Sequence, residues 1–385
     1  MKINYVGAVQ DSNGYAEFAR TFVSSMHKAG ADLAVEPLSF ERERVHHGPT
    51  GDLCTKLTLK RHNKIDINIV NMVPKVFDAF KKPGAFNIGF TMFETTRIPD
   101  IWVEQCNRMD GILVPCQWNK QVFEDSGVTV PVAVAMPALN ETYYGANHVP
   151  TVPRVLKEFC FYSIFQWTER KDPLKLIEAY WKEFEGDKNV RLVLKSYRRD
   201  YSEEEFNTIK KEIIKLKIKL KLKHYPQIVP IFRKLTSQEV LNLHLNNDCF
   251  VLPHRAEGWG LPHMEAMALG KPVITTGFSG NMDFMTEENS LLIKDYKMVP
   301  VGNMEWIGPW YDKETMEWAD ANIDELKAKM RYVYEHQEAA SKVGELARTD
   351  IRTKFTQEAC GRHILDTVSS MFKSYQRHSV SRGTL

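Results

Sequence analysis

At 385 residues the chain is about twice the usual domain length, so two domains, each burying a substantial core, are the default. Its 43% hydrophobic and 26% charged residues are those of a globular protein and argue against long disordered arms, while a net charge of +2 does not by itself announce a nucleic-acid or membrane partner. Six scattered cysteines without a Cys-x-x-Cys pair argue against a zinc site or a disulfide framework and suit reduced thiols in the cytoplasm.

The chain starts MKINYVGAVQ, with no charged leader ahead of an apolar core, and no apolar run reaches the ~18 residues of a spanning helix. A cytoplasmic protein without an integral membrane segment is expected. In chain order, KINYVGAV reads as a strand ending near Gly7, and GYAEFARTFVSSMHKAG carries apolar residues at helical spacing until Gly30. There follow strands in IDINIVNM (65–72) and FNIGFTMFE (86–94), a helix through IPDIWVEQCNRM, the strand GILVP, a helix in CQWNKQVFEDSG with Trp118 read as packing, and the apolar PVAVAMP. Alternating strands and helices are the pattern of an open parallel sheet covered on both faces. ALNETYYGANHVPTVPR, rich in turn formers and proline, reads as a linker.

Alternation resumes with the strand FCFYSIFQ, a helix in DPLKLIEAYWKEF, the strand VRLVLKSY, a lysine-rich segment, a helix in SQEVLNLHLNN, and the strands CFVLP, PVITT and NSLLI. The tail from about Thr315 to Gln376 is helical by period. The expected architecture is α/β, with two doubly wound Rossmann-like domains facing a cleft: residues 1–150, residues 151–365, and a helix of about 366–385 packing back on the first. In IKKEIIKLKIKLKLKHYP, Lys215, Lys217, Lys219, Lys221 and Lys223 alternate with Leu216, Ile218, Leu220 and Leu222. A period of two would put these lysines on one face of a strand, as a solvated surface or as a patch for an anionic acceptor such as nucleic acid or a membrane; helical winding would spread them.

The stretch HRAEGWGLPHMEAMALGKPV follows a predicted buried strand. Pro262 suits the first helical residue, Gly270 ends the helix, and Gly258, Trp259, Gly260 and Leu261 make the turn into it. Glycine there lets backbone amides approach a ligand, and a helix N-terminus favours an anion such as phosphate. Glu265, one turn into the helix, can accept from two neighbouring hydroxyls, as a ribose offers; Glu257 lies in the loop, nearer to whatever the phosphate carries. A nucleotide sugar satisfies all of these groups at once.

EGWGLPHMEAMALGKPVITTGFSGNMDFMTEENSLLI resembles the donor-site signature of glycosyltransferase family 4 (glycosyl transferases group 1), retaining enzymes of the GT-B fold. The likeness covers the second half closely and the first half loosely, and at the lysine-rich segment it implies a helix and loop where the local alternation suggests a strand. It implies Glu257 at the donor sugar, Glu265 at the ribose, and Ser279, Gly280 and Asn281 near the sugar and phosphates. The family usually has an arginine six residues before a lysine; here the lysine is Lys171, but Phe165 stands in the arginine's place, with Gln166 beside it. Arg170 or Lys195 is left to supply the second cation at the leaving phosphate, so Glu257, Lys171 and Lys195 are the candidate catalytic residues. His254 either touches the donor or is a satisfied structural histidine.

In the first half, the resemblance points to Asn13, Gly14 and Tyr15 in the loop after the first strand, and to Glu94 and Arg97 in FTMFETTRIPDIW; an ordinary turn and a loop-holding ion pair are the plainer readings. No Asp-x-Asp pair is present in a strand-exit loop, so no metal and no cofactor beyond the donor substrate are expected. The implied activity is metal-independent, retaining transfer of a sugar from a nucleoside diphosphate to an acceptor hydroxyl of a glycan, lipid or other molecule. Alternatives are transfer to modified bases of DNA, a nucleotide-sugar epimerase or hydrolase, and a non-catalytic sugar- or nucleic-acid-binding protein of the same fold.

Overall fold

A computed structural model describes residues 1–40, 48–144, 150–152, 154, 157–302 and 310–381. The chain forms two compact units, residues 1–141 with 353–385, and residues 142–352. In the first, six parallel strands, β1 (Lys2–Gly7), β2 (Asp32–Pro37), β3 (Ile67–Asn71), β4 (Phe86–Phe90), β5 (Gly111–Val114) and β6 (Val132–Val134), lie in the order β2-β1-β3-β4-β5-β6. Every residue of β3, β4 and β5 is buried, which is why these segments read as continuous apolar runs. The order reverses beside β1, so the loop leaving β1 opens at the sheet's switch point.

The helix Gly14–Lys28 follows that loop, and its apolar face packs Phe18 and Phe22 against Phe90, with ring centroids 5.0 and 4.7 Å apart. On its other side runs the last helix, Gln357–Ser381, which begins earlier than residue 366. Ser24 donates to the Gln357 side chain at 2.8 Å, and a Cβ on Gly361 would lie 2.0 Å from the Ser25 carbonyl oxygen. Only a residue without a side chain permits that approach. The tail is not helical throughout, because Glu317–Ala321 forms a strand before the helices Ile323–Glu335 and Gln337–Lys354.

The second unit repeats the plan with β7 (Phe159–Gln166), β8 (Val190–Tyr197), β9 (Ile228–Ile231), β10 (Cys249–Leu252), β11 (Val273–Thr276) and β12 (Leu291–Ile293), all parallel, in the order β12-β11-β10-β7-β8-β9. An antiparallel pair, β13 (Tyr296–Pro300) and β14 (Glu317–Ala321), is added. Here the order reverses at β7 and β10, whose exit loops carry residues 167–172 and 253–260.

The lysine-rich segment departs from the strand reading. Glu203–Leu220 is a helix, with Ser202 capping its start, three glutamates in its first turn, lysines in its last, and Lys221 ending it in the left-handed region at φ 53°. Lys215, Lys217 and Lys219 therefore wind around the helix axis and do not share one face, while Lys221 and Lys223 lie past its end. Ile209 and Leu216 point inward, whereas Ile218 is 67% exposed, the reverse of what a strand of period two would require. Among the described residues, no helix is long and apolar enough to cross a membrane, and all six cysteines are buried thiols.

Gly361→Ala should force the last helix off Gly14–Lys28 and cost roughly 2–3 kcal/mol, read as a lower urea midpoint; an unchanged midpoint would contradict the close backbone contact.

Candidate functional site

In the second unit, buried β10 delivers the loop into the helix Leu261–Ala268. Gly260 caps it at φ 101°, a conformation that L side chains rarely adopt. Pro262 is the second helical residue, one later than the sequence suggested, where its missing N–H is equally harmless. A second loop is stitched to the first: the Glu257 N–H donates to Ser279 Oγ at 2.7 Å, and the Gly280 N–H donates to the Glu257 carbonyl at 3.0 Å. Gly280 has no room for a side chain, since a Cβ would sit 2.3 Å from the Gly258 oxygen. Ser279 is held at φ 73°, strain that the two hydrogen bonds offset. Asn281 donates to the Thr276 carbonyl at 3.1 Å and closes the turn.

The Glu257 carboxylate is buried and meets two cations from the loop after β7. Lys171 Nζ donates to one of its oxygens, and Arg170 Nη1 lies 3.3 Å from the other while also donating to the Ala256 carbonyl at 2.8 Å. Burial acts to raise the Glu257 pKa, but Lys171 and then Arg170, with smaller help from His254 and His263, hold it far below the usual carboxylate range. It is charged at any working pH. Asp172, at φ 47°, turns the chain from Lys171 into the helix Pro173–Glu183 and is paired with Lys175 and Arg255, each at 3.2 Å.

Two buried histidines lie beside this cluster. Thr275 Oγ1 donates to the Leu252 carbonyl at 2.9 Å, so it accepts from His263 Nε2 at the same distance. Burial brings His263 down to about 4 against the pull of Glu257. His254 is fully buried, its ring 5.3 Å from that of His263, and neither of its nitrogens has a hydrogen-bond partner among the described residues. Glu265 stands one turn into the helix with its side chain 12% exposed, and its Oε2 is 3.4 Å from Nε2 of the buried His244. His244 escapes a sequence reading, because one histidine within SQEVLNLHLNN gives no sign of its burial.

The remaining candidates of this unit are placed as follows. Gln166 ends β7 and donates to the Arg198 carbonyl at 2.8 Å, and Phe165 is buried. Trp259 is buried against Phe284 with ring centroids 5.0 Å apart. Lys195 is buried among tyrosines, its Nζ 3.2 Å from the Tyr201 hydroxyl; burial, with Arg233 adding, lowers it to about 8. The structure thus brings Arg170 to Glu257, while the groups acting on Lys195 are Tyr197, Tyr201 and Arg233. A cavity of about 890 Å³ elsewhere in the unit is lined by Lys175, Lys215, Lys219, Tyr296 and Asp320 among others; neither glutamate lines it. Among the described residues, no group of three or more His, Cys, Asp and Glu is arranged to hold a metal ion.

In the first unit, Asn13 Oδ1 accepts from the Ala16 N–H at 3.0 Å and caps the helix that Gly14 begins. Gly14 is exposed, and a Cβ there would meet nothing within 4 Å. The Tyr15 hydroxyl lies beside Thr91 and Glu94, and burial raises its pKa. Arg97 pairs with Asp100 at 2.7 Å on the surface. Buried Arg20, which the sequence does not single out, folds the loop by donating to the carbonyls of Val9 at 3.2 Å and Asp11 at 2.6 Å.

Two parallel six-stranded sheets, each covered by helices, define a GT-B class α/β protein, as the sequence led one to expect. Residues 152–299 match the family described as glycosyl transferases group 1. No curated protein matches the sequence. Among solved structures, sucrose-phosphate synthase from Thermosynechococcus elongatus superposes with a TM-score of 0.67 at 13% identity, over 97% of this chain and 100% of that one. Anabaena HepE, solved with UDP-glucose, gives 0.63 at 16% identity, over 96% and 100%. S. aureus TarM gives 0.56 at 17% identity over 80% of this chain, which spans only 54% of TarM, about half its length. At these identities the likeness is one of fold.

Lys195 loses its proton at a lower pH in the folded chain than in the unfolded one, so its burial weighs against folding below pH 8 and ceases to do so as pH rises toward the unfolded value near 10.5. Lys195→Met should therefore be the more stable protein at pH 7, by roughly 2–3 kcal/mol, with the advantage shrinking between pH 8 and 10 in urea titrations. A difference independent of pH would contradict the lowered pKa.

Proposed function

We propose that the chain is a metal-independent, retaining glycosyltransferase that moves a sugar from a nucleoside diphosphate to an acceptor hydroxyl. One observation carries the reading: a buried carboxylate, Glu257, is gripped by Lys171 and Arg170 at the loop that opens the Leu261–Ala268 helix, and a second carboxylate, Glu265, lies one turn further on. Its match to the group 1 family and its structural likeness to HepE, a protein solved with UDP-glucose, support a nucleotide-sugar donor.

In this reading the diphosphate takes up the donors of Lys171 and Arg170, and Glu257 turns its acceptor capacity to hydroxyls of the sugar. Glu265 accepts from the ribose hydroxyls. The bond from the anomeric carbon to the diphosphate oxygen breaks, leaving charge on that oxygen which the two cations stabilise. The acceptor hydroxyl bonds to the anomeric carbon on the same face, and its proton passes to the departing phosphate oxygen, so no protein nucleophile is needed. Arg170, rather than Lys195, supplies the second cation in place of the arginine that Phe165 replaces.

A panel of nucleoside diphosphate sugars offered with glycan, lipid and simple alcohol acceptors should give transfer that survives EDTA, with the donor's anomeric configuration kept in the product by NMR. Glu257→Gln and Lys171→Ala should each lower kcat about 100-fold or more while thermal melts report a folded chain. Free sugar or an epimer formed without acceptor would make the protein a hydrolase or epimerase. Turnover unaffected by Glu257→Gln would remove the assigned role.

A further inference from the structure

Glu265 is backed by a side chain that no ligand can touch. His244 is fully buried, its ring enclosed by Tyr143, Tyr162 and Phe250 at centroid distances of 6.0, 5.4 and 6.5 Å. Its Nδ1 lies 2.9 Å from the Tyr162 hydroxyl and its Nε2 lies 3.4 Å from Glu265 Oε2. We propose that His244 is a positioning residue for donor binding: Tyr162 O–H donates to His244 Nδ1, and His244 Nε2, a buried nitrogen that makes no hydrogen bond within the described residues, lies 3.4 Å from Glu265 Oε2, where its N–H engages the carboxylate once a ligand sets it, fixing the orientation that accepts from the ribose hydroxyls. This rests on the assignment of Glu265 to the ribose made above.

The direction of the relay follows from proton counting. Burial, with Lys271 adding, holds His244 down to about 3, so the ring is neutral and carries one N–H. Burial also raises the Tyr162 phenol well above its ordinary range, so it keeps its proton and can donate. Were the ring proton on Nδ1, the Nε2 lone pair would face a carboxylate oxygen, two acceptors opposed in a site with little water to separate them. With the proton on Nε2, both contacts are donor to acceptor. A separation of 3.4 Å is long for a hydrogen bond and is of the kind that tightens once a ligand fixes the acceptor.

The arrangement predicts an effect confined to the sugar hydroxyls of the nucleotide. Calorimetry would compare UDP with 2′,3′-dideoxy-UDP, and ADP and GDP with their dideoxy counterparts. The wild-type protein should prefer the ribonucleotide of its donor base by about 10-fold or more. His244→Phe, which keeps a ring and loses the N–H, should reduce that preference to about 3-fold or less by weakening the ribonucleotide alone, and should raise the donor KM with kcat changed less than about 3-fold. His244→Gln, whose amide nitrogen sits near the position of Nε2, should restore part of the preference. Should His244→Phe fail to fold, Tyr162→Phe carries the test, because it removes the group that fixes the ring proton; a partial loss of preference is expected. A His244→Phe or Tyr162→Phe protein with the full wild-type preference would overturn the proposal while leaving Glu265 at the ribose. A wild-type protein that binds both nucleotides equally would overturn the ribose assignment itself.

Discussion

A charged carboxylate inside the protein sets the terms for the rest of the second unit. Taking Glu257 out of water costs several kcal/mol unless opposite charges meet it, and the loop after β7 exists in a form that brings two. Asp172 in the left-handed region turns that loop back, Arg170 is tied to the Ala256 carbonyl, and Ser279 and Gly280 hold the Glu257 backbone from the other side. Asp172 and Ser279 hold strained backbone, and a buried charge is costly alone. Together these features hold two cations at one point; in the proposed reading a diphosphate takes these cations over from Glu257, and charges held in place stabilise a leaving group more than they would in water.

The same residue type serves different ends within one unit. Lys171 is paired with the buried Glu257 carboxylate, whereas Lys195 lies among tyrosines, where burial, with Arg233 adding, lowers its pKa to about 8. For the second cation, adjacency to Lys171 favoured Arg170 and strand position favoured Lys195; the location of the opposing carboxylate separates them.

Much of the fold was legible because its signals are local. FCFYSIFQ and CFVLP read as strands since both faces are covered, and the glycines and proline of EGWGLPHMEAM declare a turn into a helix wherever they occur. DLAVEP was passed over because its acidic residues and terminal proline mask a strand at the sheet's edge, and IVPI because Pro230 is tolerated only on an edge strand. The lysine alternation misled for the opposite reason: a clear period of two was overridden by an acidic, capped helix start and by where Ile209 and Leu216 find a core. At the site, the two glutamates were visible as a spacing and Lys171 through the family resemblance, but Arg20, His244 and the pairing of Arg170 with Glu257 depend on burial and on contacts between distant positions, which no local pattern records.

The account turns on a nucleoside diphosphate binding where the Leu261–Ala268 helix begins. A crystal structure of the full chain soaked with UDP, and with ADP and GDP in parallel, tests this most directly. The expected result is diphosphate oxygens within hydrogen-bond reach of Lys171 Nζ and the Arg170 guanidinium, with the ribose hydroxyls on Glu265. Diphosphate bound away from both cations, or a ribose out of reach of Glu265, would contradict it.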